Sequence, residues 1–178
     1  MTSPHWSEEE LTLQEVERYY EDSLASLRAL KARVLANRPP FPDHFIGLTL
    51  QEVNTIFEEH ELELDRLASF SLLSATEASL RIDFYQRVSK RKKNAVARQF
   101  QSLHREHGSK ISLEAHILET WKVHLTEKRY VSDFHGMLNY RHWLAHGRYW
   151  VPNLPRKKID FQILYFICDR LEQIIKSN

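Results

Sequence analysis

Apolar residues recur at spacings of three and four along most of the chain, and glycine is scarce, with 4 in 178 residues. Side chains at these spacings fall on one face of an α-helix, whereas a half-buried strand alternates every second residue. Neither an internal repeat nor a low-complexity segment interrupts the pattern. We therefore predict an all-α fold, a bundle of about five or six helices.

Composition indicates one globular domain over residues 1–178. Hydrophobic residues make up 42% of the chain and charged residues 28%, which suits a single sizeable core. The longest apolar run, 163–168, is far too short to span a membrane, and the first residues lack the basic and apolar regions of a signal peptide. We expect a cytoplasmic protein with no membrane partner. Cys168, the single cysteine, excludes an internal disulfide framework, and we expect it to pack inertly.

Local signals predict where the first two helices begin. Three glutamates after Ser7 suit the start of a first helix. Thr49 and Glu52 form a capping-box pattern that opens a second, long helical region. We expect this region to bend or break near 69–74, where serines interrupt the apolar residues.

The later helix ends are predicted in the same way. Ser132–Asp133 should cap a helix that Gly147 ends. The other predicted segments are a helix over about 95–106, a helix from Ser112 through Leu125, a loop over 147–159, and a final helix capped by Asp160.

The helix before Gly147 carries a charge within its apolar stripe. At ~100° per residue, Arg141 falls in the middle of that stripe. A buried guanidinium requires a compensating carboxylate, phosphate or set of carbonyls. Glu77 is likewise a charged residue on the apolar face of an earlier predicted helix. We therefore expect Glu77 and Arg141 to be close and buried. The alternative is a Glu77 side chain that reaches solvent at the margin of its stripe.

Histidines flank the same stripe. His135, His142 and His146 stand at relative positions 0, 7 and 11, which places them along one side of the helix. Imidazoles exchange protons near neutral pH. The helix therefore combines a fixed cation with several groups suited to proton transfer.

Basic residues are unevenly distributed although the net charge is only +1. The run 90–93 forms one block with Arg87 and Arg98, and 156–158 form a second. Such blocks are either solvated helix ends and loops or contacts to phosphate groups.

Residues 141–146, Arg-His-Trp-Leu-Ala-His, followed by Gly147, resemble the R-x4-6-H motif of the HEPN superfamily. This superfamily comprises small all-α domains that include many ribonuclease toxins and defence effectors. The resemblance implies a homodimer whose two motif copies form one cleft, and RNA cleavage without metal or cofactor. It also implies a bacterial toxin or phage-defence role, with an antitoxin or sensor protein as a partner. HEPN toxins paired with a nucleotidyltransferase antitoxin carry tyrosine two residues after the histidine, whereas Arg148 stands there in this chain.

The resemblance implies a role for each residue of the motif. His146 would transfer protons, Arg141 would stabilise the pentacoordinate phosphate, and His142 would orient or assist. By looser analogy Glu77 would hold Arg141 in place. The residues expected to contact RNA, by charge or by base stacking, are Arg87, Lys90, Arg91, Lys92, Lys93, Arg148, Tyr149 and Trp150.

Three alternatives remain open from the sequence. His135, His142 and His146 are spaced to bind zinc or nickel, although no carboxylate ligand accompanies them. A catalytically silent domain would use the ion pair structurally and bind a nucleotide or RNA, or form a dimer. An unrelated helical bundle could match the motif by chance.

Overall fold

The computed structural model describes residues 9–89, 94–154 and 159–178, and these residues form helices and loops without a strand. The predicted all-α fold is confirmed. The described part of the chain contains six α-helices: α1 (Leu13–Leu35), α2 (Leu50–Ser89), α3 (Ala95–His107), α4 (Glu119–His124), α5 (Lys128–Ala145) and α6 (Phe161–Lys176). Short 3₁₀ helices at Asp43–Phe45 and Gly108–Lys110 and a π-helix at Leu113–Leu118 complete the fold.

Helix α1 begins later than predicted. Thr12 is its N-cap, because the Glu15 backbone N–H donates to Thr12 Oγ1 at 3.2 Å and Glu15 Oε2 accepts from the Thr12 backbone N–H at 2.8 Å. This reciprocal capping box satisfies two backbone donors at once and fixes the start at Leu13. Ser7 itself lies outside the described residues.

Two predicted helix starts are confirmed by the same kind of contact. The Glu52 backbone N–H donates to Thr49 Oγ1 at 3.2 Å, while Glu52 Oε2 accepts from the Thr49 backbone N–H at 2.7 Å. Asp160 caps α6, where its carboxylate accepts from the Ile163 backbone N–H at 3.0 Å.

Two other predictions were wrong. Helix α2 runs without interruption through 69–74, because Leu72 and Leu73 are completely buried and neighbouring helices hold this segment. Helix α5 begins at Lys128 and not at Ser132–Asp133. Val131 and Phe134 in its first two turns are completely buried, so packing extends the helix beyond the local capping signal.

The centre of the fold is α2, which packs against α1, α3, α5 and α6. Its C-terminal half contributes Leu80 and Phe84 to the main core, which also contains Trp121 and Phe134. A smaller second cluster joins its N-terminal half to the end of α1. Among the described residues, no helix is long and apolar enough to cross a membrane. Because α5 packs on α2, the Arg141–His146 motif at the end of α5 lies beside side chains of α2.

Candidate functional site

Helix α5 ends with a glycine-dependent turn. The His146 backbone N–H donates to the His142 carbonyl, and the Arg148 backbone N–H reaches back to the Trp143 carbonyl, each at 3.1 Å. Gly147 has a φ of +79°, a conformation that glycine adopts without steric cost. The prediction that Gly147 ends this helix is confirmed.

Arg141 pairs with Glu77 across the α2–α5 interface. Arg141 Nη2 lies 3.4 Å from Glu77 Oε2, and the guanidinium carbon lies 5.9 Å from the centroid of the Phe70 ring. The predicted proximity of Glu77 and Arg141 is confirmed. Their predicted burial is only partial, since the side chains are 18% and 34% exposed.

Glu77 serves two cations. Its Oε1 also accepts from Arg81 Nε at 3.0 Å and lies 2.9 Å from Arg81 Nη2. Two guanidinium groups thus share one carboxylate, so this cluster carries a positive charge that Glu77 leaves unbalanced. Arg141 Nε is buried and has no hydrogen-bond acceptor among the described residues. Arg141 is therefore held in place, while one third of its side chain remains open to solvent.

The last turn of α5 and the segment that follows it present a separate aromatic cluster. The His142 and His146 rings lie 4.2 Å apart, and the Trp150 ring centroid is 5.6 Å from His142 and 6.5 Å from His146. Both histidines are exposed and Trp150 is half-buried. We call these three side chains the His–Trp cluster. It offers two solvent-accessible imidazoles beside an indole ring.

Trp143 anchors the segment that carries this cluster. Its Nε1–H donates to the Trp150 carbonyl at 2.7 Å, and its ring stacks on Tyr140 with centroids 5.6 Å apart. The Arg66 guanidinium lies over the same ring at 5.9 Å. Trp143 is thus a packing residue, whereas Tyr149 is 84% exposed, as expected for a residue available for stacking.

Arg148 is bound by the protein itself. Its Nη1 donates to Glu63 Oε2 at 2.5 Å, and Arg66 lies 3.6 Å from the same oxygen. The hydrogen bond from Arg148 lowers the pKa of Glu63, and the same bond raises the pKa of Arg148. Sequence reasoning missed Glu63. The signal was available, because Glu63 precedes Glu77 by two heptads on the same face of α2.

Arg87 does not belong to an exposed basic surface, which corrects its prediction as an RNA contact. The side chain is 2% exposed. Its Nε donates to Asp83 at 2.8 Å, its Nη2 donates to the Ile175 carbonyl at 3.2 Å, and its guanidinium lies over Trp121 at 4.7 Å. Arg87 therefore links α2 to α4 and α6. Of the other members of the block, Lys90, Arg91, Lys92 and Lys93 lie outside the described residues, as do 156–158.

The described residues bring the motif together only in part. Arg141 faces α2, while His142 and His146 face the Trp150 side, as expected for Arg141 and His146 positions that are ~140° apart around a helix. His135 lies 3.0 Å from Glu114. Among residues 9–89, 94–154 and 159–178, no group of three His, Cys, Asp or Glu side chains could hold a metal ion. The geometry within one chain is thus a held cation and a separate pair of imidazoles.

Comparisons of this chain with protein-family models, curated proteins and solved structures found no match. The family resemblance therefore rests on the residues of the motif and on their place at the end of a late helix in an all-α fold.

Proposed function

We propose that this chain is a HEPN-like, metal-independent endoribonuclease whose site lies at the C-terminal end of α5. The observation that carries the proposal is the pairing of Arg141 with Glu77 on the same helix end as two exposed imidazoles, His142 and His146, whose rings lie 4.2 Å apart. A preorganised cation and nearby proton-transfer groups are what phosphodiester cleavage requires.

RNA supplies its own nucleophile. The 2′-oxygen attacks phosphorus, the P–O2′ bond forms and the P–O5′ bond breaks, leaving a 2′,3′-cyclic phosphate and a 5′-hydroxyl. One proton leaves the 2′-hydroxyl and one reaches the 5′-oxygen; we assign these transfers to His146, assisted by His142. Arg141 stabilises the negative charge that develops on the phosphate oxygens. Glu77 positions Arg141 and takes no proton in this scheme.

The surroundings of the imidazoles suit single-stranded RNA. Trp150 lies against both histidines and Tyr149 projects into solvent beside it. Unpaired bases stack on such rings, whereas bases inside a duplex are already stacked on each other. We therefore propose Tyr149 and Trp150 as stacking residues. A toxin or phage-defence role, restrained by an antitoxin or triggered by a sensor protein, accords with an enzyme of this kind.

The ~140° separation of Arg141 and His146 supports a homodimer. One α5 helix does not aim both side chains at the same phosphate, whereas two copies packed with these helix ends together would supply Arg141 from one chain and His146 from the other. The proposed active form is thus a dimer with a composite cleft.

The test is cleavage of labelled single-stranded RNA and of a tRNA pool in EDTA. We expect Arg141→Gln and His146→Ala to lower the rate about 100-fold or more, and the wild-type products to end in 2′,3′-cyclic phosphate. His135→Ala is the matched control, because it removes a histidine of the same helix that contacts Glu114. Cleavage retained by both site variants would overturn the assignment, and so would an equal loss of cleavage in the His135→Ala control.

A silent RNA-binding scaffold is the second candidate. It is favoured by the fact that Arg141 is already paired within its own chain. This candidate predicts that wild type binds single-stranded RNA in a fluorescence anisotropy assay but leaves it uncut over hours, and that Tyr149→Ala weakens the binding.

A further inference from the structure

The turn that follows α5 is held by a contact to a distant part of the chain. Arg148 reaches from this turn to Glu63 on α2, 85 residues earlier, and donates to its carboxylate at 2.5 Å. Glu63 also lies 3.6 Å from Arg66, and Arg66 covers the ring of Trp143. Glu63, Arg66 and Arg148 form one connected group, which we call the Glu63 clamp.

The backbone at this point needs support. Gly147 and Arg148 both have positive φ, +79° and +60°. Glycine adopts such values freely, but a residue with a side chain is found there much less often. Two contacts hold Arg148 in this conformation: its backbone N–H bonds to the Trp143 carbonyl at 3.1 Å, and its side chain bonds to Glu63.

Trp150 lies directly beyond this reversal of the chain. With the chain reversed at 147–148, the Trp150 carbonyl accepts from Trp143 Nε1 at 2.7 Å. The Trp150 ring then lies beside His142 and His146. Without the Arg148–Glu63 contact, the bond from Trp143 Nε1 is the one side-chain hydrogen bond among the described residues that still holds this segment, in which Tyr149 and Val151 face solvent.

We propose that Glu63 is a positioning residue: through Arg148 it fixes the 147–150 turn and so places Trp150 beside His142 and His146. Its effect on catalysis rests on the function proposed above, whereas its effect on the geometry of the His–Trp cluster does not. In this proposal Arg148 ties the turn to Glu63 on α2 and is not a phosphate contact. A phosphate that bound Arg148 would have to displace the Glu63 carboxylate from it. The phosphate would then lie close to the negative charge of Glu63, which would repel it.

The geometric effect is tested by NMR without any substrate. The variants are Glu63→Gln, Arg148→Ala and the double variant, with Arg148→Lys as the conservative form that keeps the cation. The control is Glu61→Gln, which breaks another α2 ion pair, to Arg28 at 3.5 Å. The readouts are hydrogen exchange of the Trp143 indole N–H and the imidazole signals of His142 and His146.

Under the proposal, Glu63→Gln and Arg148→Ala each speed exchange of the Trp143 indole N–H about fivefold and shift the same two imidazole signals. The double variant matches either single variant, Arg148→Lys recovers part of the wild-type spectrum, and the Glu61 control leaves these signals in place. Unchanged histidine signals in Glu63→Gln, or additive effects in the double variant, would overturn the positioning role.

Kinetics separate the two roles of Arg148 if the enzyme is active. A positioning pair predicts that Glu63→Gln and Arg148→Ala both lower kcat by about the same factor with little change in KM. A phosphate contact predicts that Arg148→Ala raises KM while Glu63→Gln lowers it, which would refute the proposal. Absence of cleavage by the wild type would refute the proposed ribonuclease activity. The NMR experiment would then still test whether Glu63 positions the 147–150 turn.

Discussion

Replacing Glu77 with glutamine should destabilise the fold more than replacing Arg141 with glutamine. Glu77 accepts from Arg81 at 3.0 Å and lies 3.4 Å from Arg141, so Glu77→Gln disrupts two ion pairs and leaves two neighbouring cations without their carboxylate. Arg141→Gln disrupts only one pair, and Glu77 keeps Arg81. The sign of the difference follows from this unequal sharing.

The magnitudes are small because the arginines are about one third exposed. A charge-assisted hydrogen bond contributes about 1.5–3 kcal/mol when shielded from water, and an exposed ion pair about 0.2–1 kcal/mol. With Arg81 38% and Arg141 34% exposed, the lower range applies. We expect losses in unfolding free energy of about 1.5 kcal/mol for Glu77→Gln and about 0.5 kcal/mol for Arg141→Gln. These correspond to falls in Tm of roughly 3–6 °C and 1–2 °C for a chain of this size.

The measurement is urea unfolding followed by circular dichroism, with both single variants and the double variant. Glu172→Gln is the matched control, because this α6 carboxylate is about as shielded as Glu77 but forms its ion pair with a single described residue, Lys176, at 2.6 Å. Its cost should resemble that of Arg141→Gln. A larger cost for Arg141→Gln than for Glu77→Gln, or strictly additive effects in the double variant, would refute the shared-carboxylate reasoning.

Three further outcomes follow from the burial of single groups. Arg87→Ala should lower the unfolding free energy by about 3 kcal/mol in urea unfolding, because it breaks a shielded ion pair and leaves a cavity beside Trp121; a loss of RNA binding without this destabilisation would contradict its structural role. Burial raises the pKa of Cys168 to about 12, so a thiol reagent should label it at pH 8 only in unfolded protein, and rapid labelling of the native state would refute its burial. Burial also raises the pKa of Asp65 above its ordinary value of 3.8. Native Asp65 therefore keeps its proton to a higher pH than unfolded Asp65, so its contribution to stability falls as pH rises from 3.8 through the raised native pKa. Asp65→Asn should remove this fall in urea midpoints measured from pH 3.5 to 7. An unchanged pH profile in Asp65→Asn would refute the effect.

Local signals predicted those helix ends that side chains or glycine determine. Thr49 with Glu52, Asp160 and Gly147 each satisfy or replace backbone groups within a few residues, so the sequence contains the whole cause. The Glu77–Arg141 pair was predictable for a different reason. Each charge was out of place on an apolar face, and each provided the compensation that the other required.

Features that depend on packing were not predictable in this way. The uninterrupted α2 and the early start of α5 follow from buried leucine, valine and phenylalanine side chains whose neighbours come from other helices. Arg87 was misassigned because it precedes a run of basic residues. The carboxylate of Asp83, four residues earlier on the same helix, was the local sign that Arg87 had a partner.

The proposed composite cleft makes a prediction that a one-chain site does not. If Arg141 and His146 act on the same phosphate from different chains, a dimer of one Arg141→Gln chain and one His146→Ala chain keeps one intact site and loses both functions at the other. Random mixing of the two variants gives about half mixed dimers, so the mixture should recover roughly one quarter of wild-type cleavage. Each variant alone should remain inactive. Recovery would also require exchange of chains, which unfolding and refolding of the mixture ensures. An inactive refolded mixture, beside a wild-type sample that regains its activity after the same treatment, would place both residues in one chain and would contradict the divergence of Arg141 and His146 around α5.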